Sequence, residues 1–323
     1  MFVLTACLFI QLLVKNSAEV NLAHYNPELC GRQSTYTSFM LTDSEGNTGY
    51  PTHLAPWAVQ IRVKAASGDF AVICGGTLVT AKHVLTAAHC FQKKFGGKAR
   101  DAVSGRYCEQ NQRFTDSEIL ARTHVTVGAM CTSKMEKYGC VNEKQNGKTL
   151  KLKKFAMGDF YSAHCENGND IVILELEESV EDVEGANYAC LPFLPSVEFP
   201  AGSNVTSFGW GSDPIKGFDH SAFPMIQILS LVPETLETCN DNWGISIPFD
   251  SFCTAEEDDR NVCAGDSGGG LTFHQMSSSR EFIIAIVSYG SDCVQLIGGS
   301  EPKSQINTDI RKHQKFIVDF INS

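Results

Sequence analysis

Short apolar runs alternate with short polar turns along almost the whole chain. WAVQIRV (57–63), AVICGGTLVT (71–80), THVTVGAM (123–130), DIVILEL (170–176), NVTSFGWG (204–211) and FIIAIVSYG (282–290) are rich in Val, Ile and Thr, and Gly, Pro, Asn and Asp separate such runs. Each run predicts a β-strand. Helical periodicity is confined to the end of the chain, DIRKHQKFIVDFINS. There Ile310, Phe316, Ile317, Phe320 and Ile321 recur at near-helical spacing and predict a terminal helix docked on the body. Many strands with turn signals between them point to an all-β sandwich or barrel. The stretch Gln92 to Glu166 is charged and rich in Gly, Lys and Asn, and reads as a set of enlarged surface loops around the single strand THVTVG. No internal repeat is visible.

Composition narrows the class. The apolar run Phe2 to Val14 is too short to span a bilayer and ends near Ser17 and Ala18, the pattern of a secretory leader over residues 1–18. No later run is apolar for long enough to cross a membrane, so the mature chain is expected to be exported, extracellular and free of the membrane. Of thirteen cysteines, Cys7 falls in that leader. The remaining even set, with no C-x-x-C pair, favours disulfides over metal ligation. The net charge of -11 and the lack of a basic stripe exclude a nucleic-acid binder. KLKK (Lys151 to Lys154) and QKK (Gln92 to Lys94) read as solvated loop charges. No calcium loop, metal site or cofactor motif is expected. Asn204-Val205-Thr206 is the one glycosylation sequon.

The candidate chemistry lies in VCAGDSGGGLTF, Val262 to Phe273. Its single serine, Ser267, sits among glycines and also fits the Gly-x-Ser-x-Gly elbow of a different hydrolase fold. A serine hydroxyl needs a base, a group to orient that base, and donors for the developing oxyanion. His89, in VLTAAHC, follows an apolar strand through a small-residue turn beside a cysteine. Asp170, in GNDIVILEL, opens an apolar strand, where a carboxylate is costly unless paired. The elbow hydrolases run Ser, acid, His, but only His274 and His313 follow Ser267. The order His, Asp, Ser remains.

With LTAAHC, NDIVILEL and GDSGG in that order, joined by PWAV (56–59), CGGTLV (74–79), FGWG (208–211) and VSYG (287–290), the sequence resembles a chymotrypsin-like (trypsin-like) serine protease. The similarity runs from about Pro56 to the end, and a branch of divergent secreted trypsin-like proteins of nematodes looks similar. The resemblance implies two six-stranded antiparallel β-barrels with a C-terminal helix and the site in their cleft. The implied domain covers residues 50–323, with enlarged loops at 92–166 and a segment 19–49 tethered by Cys30. It implies Ser267 as nucleophile, His89 as base and Asp170 as its orienting carboxylate. Gly265 and Ser267 would supply oxyanion-hole N–H groups, and Asp266 would pair with a freed chain terminus. Asn261, Ser288, Tyr289, Gly290 and Gln305 would line the substrate pocket. The implied disulfides are Cys74–Cys90, Cys239–Cys253, Cys263–Cys293 and Cys30–Cys190. The pairing of Cys108, Cys131, Cys140 and Cys165 stays open among three connectivities.

Two departures matter. Asn261, not a carboxylate, stands at the position that usually selects the substrate side chain, and Gln305 stands where glycine is usual. A neutral, partly filled pocket is therefore expected. Before PWAV the chain reads LTDSEGNTGYPTHLA, with no Ile-Val-Gly-Gly and no basic residue at the usual activation cut. The leading expectation is a secreted, monomeric serine endopeptidase acting on proteins or peptides and open to protein inhibitors. The alternative is a non-catalytic homologue that binds proteins through its cleft.

Overall fold

The computed structural model describes residues 22–32, 41–42, 48–49, 55–93 and 113–323, apart from short gaps at 66, 69, 133–134, 139, 142, 164, 166, 195, 201, 219–221 and 258–260. The expected leader and Cys108 lie outside the described residues. A two-stranded ribbon, β1 (Leu41–Thr42) and β2 (Thr48–Gly49), precedes the body. Seven strands then form the first sheet: β3 (Ala58–Lys64), β4 (Phe70–Leu78), β5 (His83–Thr86), β6 (Thr123–Val127), β7 (Lys148–Leu150), β8 (Leu152–Met157) and β9 (Val172–Leu176). The second sheet holds β10 (Val205–Gly209), β11 (Gln227–Leu231), β12 (Pro233–Glu234), β13 (Ser251–Ala255), β14 (Gly270–Gln275), β15 (Arg280–Tyr289) and β16 (Ser304–Asp309).

Both sheets are antiparallel, with orders β7-β6-β3-β4-β5-β9-β8 and β11-β10-β14-β15-β16-β13-β12. The resemblance implied six strands in each; seven are found, and the reason is local. In the first sheet the segment 148–157 bends at Lys151, so its first part pairs with β6 and its second with β9 at the opposite edge. In the second sheet the segment 227–234 bends at Val232 and pairs with β10 and then β13. One bent segment thus supplies both ends of each curled sheet, which removes an exposed edge.

Alternation on the strands builds one core shared by the two barrels. Val59, Ile61 and Val63 point inward from β3, and Ile283, Ile284 and Ile286 are buried on β15. Burying one such side chain contributes about 1.5–3 kcal/mol. Between the barrels the backbones touch: a Cβ on Gly75 would lie 2.9 Å from the Cα of Gly269, so glycine is needed there.

Two expectations are corrected. The stretch 92–166 carries α1 (Asp116–Arg122) with a full capping box at Thr115 and Glu118, and the strands β6, β7 and β8, not one strand among loops. Lys153 and Lys154 of KLKK are not free loop charges. They lie on β8, and their ammonium groups reach Glu175, buried on β9, at 2.6 and 3.3 Å. A carboxylate buried in a strand requires such partners, and that requirement is invisible in the local run. Lys93 of QKK pairs with Glu118 at 3.1 Å. At the C-terminus the expected helix begins as a 3-10 turn, Ile310–His313, and continues as an α-helix, Gln314–Ile321.

The four implied disulfides all form, and a fifth joins Cys131 to Cys140. Cys165 is also disulfide-bonded, with a partner outside the described residues. The Cys30–Cys190 bridge fixes the segment 22–32 to the second barrel, where Glu281 N–H donates to Gly31 O at 3.0 Å. Among the described residues no helix is long and apolar enough to cross a membrane.

Candidate active site

The apolar strand β5 delivers His89. After Thr86 the chain turns through two buried alanines into a 3-10 turn, Ala88–Phe91, and the Cys74–Cys90 bridge locks that turn to β4. Tyr161 donates to the carbonyl of Ala88 at 3.0 Å and closes it from outside. The imidazole is left half-buried on a rigid base.

Asp170 arrives on the neighbouring strand, because β9 pairs with β5. Gly168 and Asn169 both take positive φ, +78° and 62°, a conformation open to glycine and asparagine. These two residues turn the chain so that Asp170 enters β9 pointing inward. Its carboxylate is 3% exposed and accepts from the backbone N–H of His89 at 2.9 Å and from Ser288 Oγ at 2.5 Å. Its Oδ2 lies 2.7 Å from His89 Nδ1. Burial works to raise the Asp170 carboxyl, but the His89 charge and the hydrogen bonds from His89 and Ser288 outweigh it and hold the group below the usual carboxylate range. A carboxylate so held fixes Nδ1 as the protonated nitrogen and leaves Nε2 able to take a proton.

Ser288 reaches Asp170 because β15 is irregular there. Val287 faces Asn307 and Tyr289 faces Ile306, so Ser288 is an extra residue in the ladder. Such a bulge re-aims a side chain.

Ser267 lies in the glycine run between Asp266 and β14, half-buried. Its carbonyl accepts from the N–H of Gly75 at 2.7 Å and sits 3.7 Å from the Sγ of Cys90, the residue after His89. The His89 ring, Cys74 and Cys90 in turn gather within 4.8 Å. The serine loop and the histidine turn are thus pinned to the same disulfide. Gly268 permits this, because a Cβ there would lie 2.2 Å from Thr86 Oγ1.

The residues 263–266 form a tight turn. Asp266 N–H donates to Cys263 O at 3.0 Å, and Gly265 has φ +102°, the signature of a type II turn. The carbonyl of Ala264 accepts from Ser212 N–H at 2.8 Å. The next peptide N–H, that of Gly265, belongs to the same planar trans unit and points the opposite way. It therefore points away from Ser212.

Asp266 itself is buried behind the turn. Its carboxylate accepts from the N–H groups of Gly211 and Cys263 at 2.8 and 2.9 Å. Burial pushes its pKa up to about 6, and those two hydrogen bonds offset only part of the rise. A cavity of about 220 Å³ adjoins it, bordered by Phe208, Ser212, Asp213, Lys216, Val262 and the Cys263–Cys293 bridge. This cavity lies behind the serine loop.

Of the remaining expected residues, Asn261 borders the same cavity as Asp266, and Gly290 and Gln305 meet each other. Asn261 is 9% exposed, and Gln305 on β16 is 3% exposed. Gly290 follows β15, beside Gln305. Tyr289 is half-buried, its ring centroid 6.1 Å from that of Trp243 in an edge-to-face contact, and burial raises its phenol. Asn204, of the sequon, is exposed immediately before β10.

Sequence reasoning missed the support behind Asp170. Thr308 Oγ1 donates to its carbonyl at 3.1 Å. Asp250, 1% exposed, accepts from Asn169 N–H at 2.7 Å and pairs with His313 Nε2 at 2.8 Å. A Cβ on Gly168 would strike Asp250 Oδ1 at 1.9 Å, so the turn leading into Asp170 rests on this carboxylate. His313 was visible only as a histidine late in the chain, and nothing in the sequence around Asp250 marked it. His274, the other late histidine, pairs with Glu281 across β14 and β15 at 3.0 Å.

Comparison with known proteins gives the relatives of the chain. The trypsin family model matches residues 44–308. Over 305 residues, 93% of both chains, the sequence is 78% identical to the trypsin-like protease try-5 of Caenorhabditis elegans. It is 28% identical to a chymotrypsin of Phaedon cochleariae over 240 residues, 74% of this chain and 70% of that one. It is 24% identical to a venom serine protease of Polistes dominula over 220 residues, 68% of each.

Proposed function

This chain belongs to the trypsin family of serine proteases, and we propose that it is a secreted endopeptidase that hydrolyses peptide bonds through Ser267, His89 and Asp170. The observation that carries the reading is the grip of the buried Asp170 carboxylate on both the N–H and the Nδ1 of His89. A buried charge aimed at an imidazole, beside a serine loop pinned to the same turn, has a ready use in general-base catalysis.

In the proposed reaction His89 Nε2 takes the Ser267 proton as Oγ attacks the substrate carbonyl. The imidazolium formed is stabilised by Asp170. The N–H groups of Gly265 and Ser267 donate to the tetrahedral oxyanion. His89 then returns the proton to the leaving amine, and water repeats the sequence on the acyl-enzyme. Asn261, Ser288, Tyr289, Gly290 and Gln305 form the substrate pocket. With no carboxylate at Asn261, the specificity differs from cleavage after Arg or Lys.

The second reading, a protein-binding homologue without catalysis, is favoured by Asp266. In an activated protease of this family a new terminal ammonium pairs with this carboxylate. Here its partners are the two backbone N–H groups, and the chain lacks the usual activation tetrapeptide. A fluorophosphonate probe applied to the secreted protein, with peptide mapping and sequencing of the labelled form's N-terminus, separates the readings. Modification of Ser267 with hydrolysis of a denatured protein substrate is the expected result. Absence of both, in every processed form, leaves the binding reading.

A further inference from the structure

We propose that Gln305, backed by Glu256, closes the substrate pocket to long side chains, so that cleavage follows short uncharged residues such as Ala, Ser or Thr. The inference rests on the reading of Ser267 as nucleophile and deepens it by naming the substrate class.

Gln305 leaves β16 where that strand pairs with Thr254 of β13, and its side chain is almost wholly buried. A Cβ built on Gly290 would lie 1.9 Å from Gln305 Oε1, 2.5 Å from its Cδ and 2.7 Å from Glu256 Oε1. The amide of Gln305 therefore rests directly on the Gly290 backbone. It spans the gap that a substrate side chain would enter if both positions were glycine. The wall behind it is held in place, because the Glu256 carboxylate accepts from Ser291 N–H at 2.6 Å and Lys303 N–H at 2.8 Å.

Asn261 Nδ2, Gln305 Oε1 and Asn307 Oδ1 are all buried with no hydrogen-bond partner among the described residues. An aromatic ring pressed into the pocket would have to displace the buried Gln305 amide from the Gly290 backbone and would offer these polar groups no hydrogen bond. An acidic side chain would approach Glu256. A short side chain ends above the Gln305 amide, and a Ser or Thr hydroxyl there can donate to Oε1. Gln305 is thus a specificity-determining residue, and Glu256 is an anionic wall that Gln305 screens from the substrate.

Peptidyl diphenyl phosphonates that differ only in the residue entering the pocket test this. Their labelling rates at Ser267 are measured beside a small fluorophosphonate that does not use the pocket. The Ala probe is expected to react at least tenfold faster than the Phe and Lys probes. Gln305→Gly should lower the Ala-to-Phe ratio at least tenfold and raise the Lys rate by uncovering Glu256. Gln305→Ser serves in its place if the glycine variant does not fold. Equal rates for Ala and Phe in the native chain, or ratios unchanged by the substitution, would overturn the inference while fluorophosphonate labelling keeps the nucleophile. Failure of the fluorophosphonate itself marks the failure of the catalytic reading. In that case binding of peptides ending in Ala or Phe to Ser267→Ala reads the pocket without chemistry, and a preference for Phe overturns the proposal.

Discussion

Two buried carboxylates flank the serine loop, and they are built differently. Asp170 receives one backbone N–H and one hydroxyl, faces an imidazole at 2.7 Å, and titrates below the usual range. Asp266 receives two backbone N–H groups, borders a cavity of about 220 Å³ and titrates near 6. Burial raises both; the difference lies in the partners. The first environment is arranged to keep a charge throughout a proton transfer. The second tolerates its charge poorly as it stands, and a cation delivered beside it would lower its pKa and fix the turn that carries Gly265. On the proposed function the two carboxylates have separate tasks, Asp170 orienting the base and Asp266 holding the turn that carries the oxyanion donors.

The largest effect expected on the catalytic side is that of Ser267→Ala or His89→Ala. Either should lower peptide hydrolysis by a factor on the order of 10⁴–10⁶ while thermal unfolding changes little. Steady-state kinetics and a melting curve check this, and an unaffected rate would move the chemistry elsewhere.

Asp266 should give the native chain a pH dependence of stability that Asp266→Asn lacks. Its folded pKa, about 6, lies above the unfolded value of 3.8. The folded state therefore binds more protons between those values. The stabilisation is fully present below the unfolded pKa and is lost as pH rises through 6. Over that window the native chain should lose about 3 kcal/mol relative to Asp266→Asn, from about two pKa units at 1.36 kcal/mol each. Denaturant titrations at pH 4 and pH 7 measure the difference. A gap that does not change with pH would mean that Asp266 titrates in the folded chain as it does in the unfolded one, and a gap that moves in favour of the native chain as pH rises would mean that it is held as Asp170 is.

A smaller effect on the catalytic side comes from the pair behind Asp170. Asp250→Asn, which keeps the shape but weakens the grip on Asn169 and His313, should lower kcat about 10- to 100-fold and leave KM near its native value. Small displacements of catalytic groups have costs of this size. His313→Gln should act in the same direction more weakly. If KM rises and kcat is unchanged, the pair supports the substrate groove and not the base.

Much of this arrangement was legible because it depends on local signals. The strands show in their Val- and Ile-rich runs, Gly168-Asn169-Asp170 shows a turn into a strand, and GDSGG shows a backbone that must bend. The chain order of His89, Asp170 and Ser267 excluded one hydrolase fold, and family resemblance supplied the disulfide pairs. What stayed hidden depends on long-range contact. Lys153 and Lys154 look like surface charges until β8 is laid beside Glu175. Asp250 and His313 lie 63 positions apart in sequence and meet only in the fold, beside the Gly168-Asn169 turn that precedes β9. The strand count was obscured for a similar reason: a bend at Lys151 or Val232 lets one segment serve both edges of a sheet, and no residue pattern announces it.

The claim that Asp170 is the partner that makes His89 a base is tested most directly by one rate ratio, fluorophosphonate labelling of Ser267 in the native chain against Asp170→Asn at neutral pH. The asparagine keeps the volume but stabilises the wrong tautomer and removes the charge, so labelling should fall by about 10⁴. Labelling within threefold of native would contradict the account.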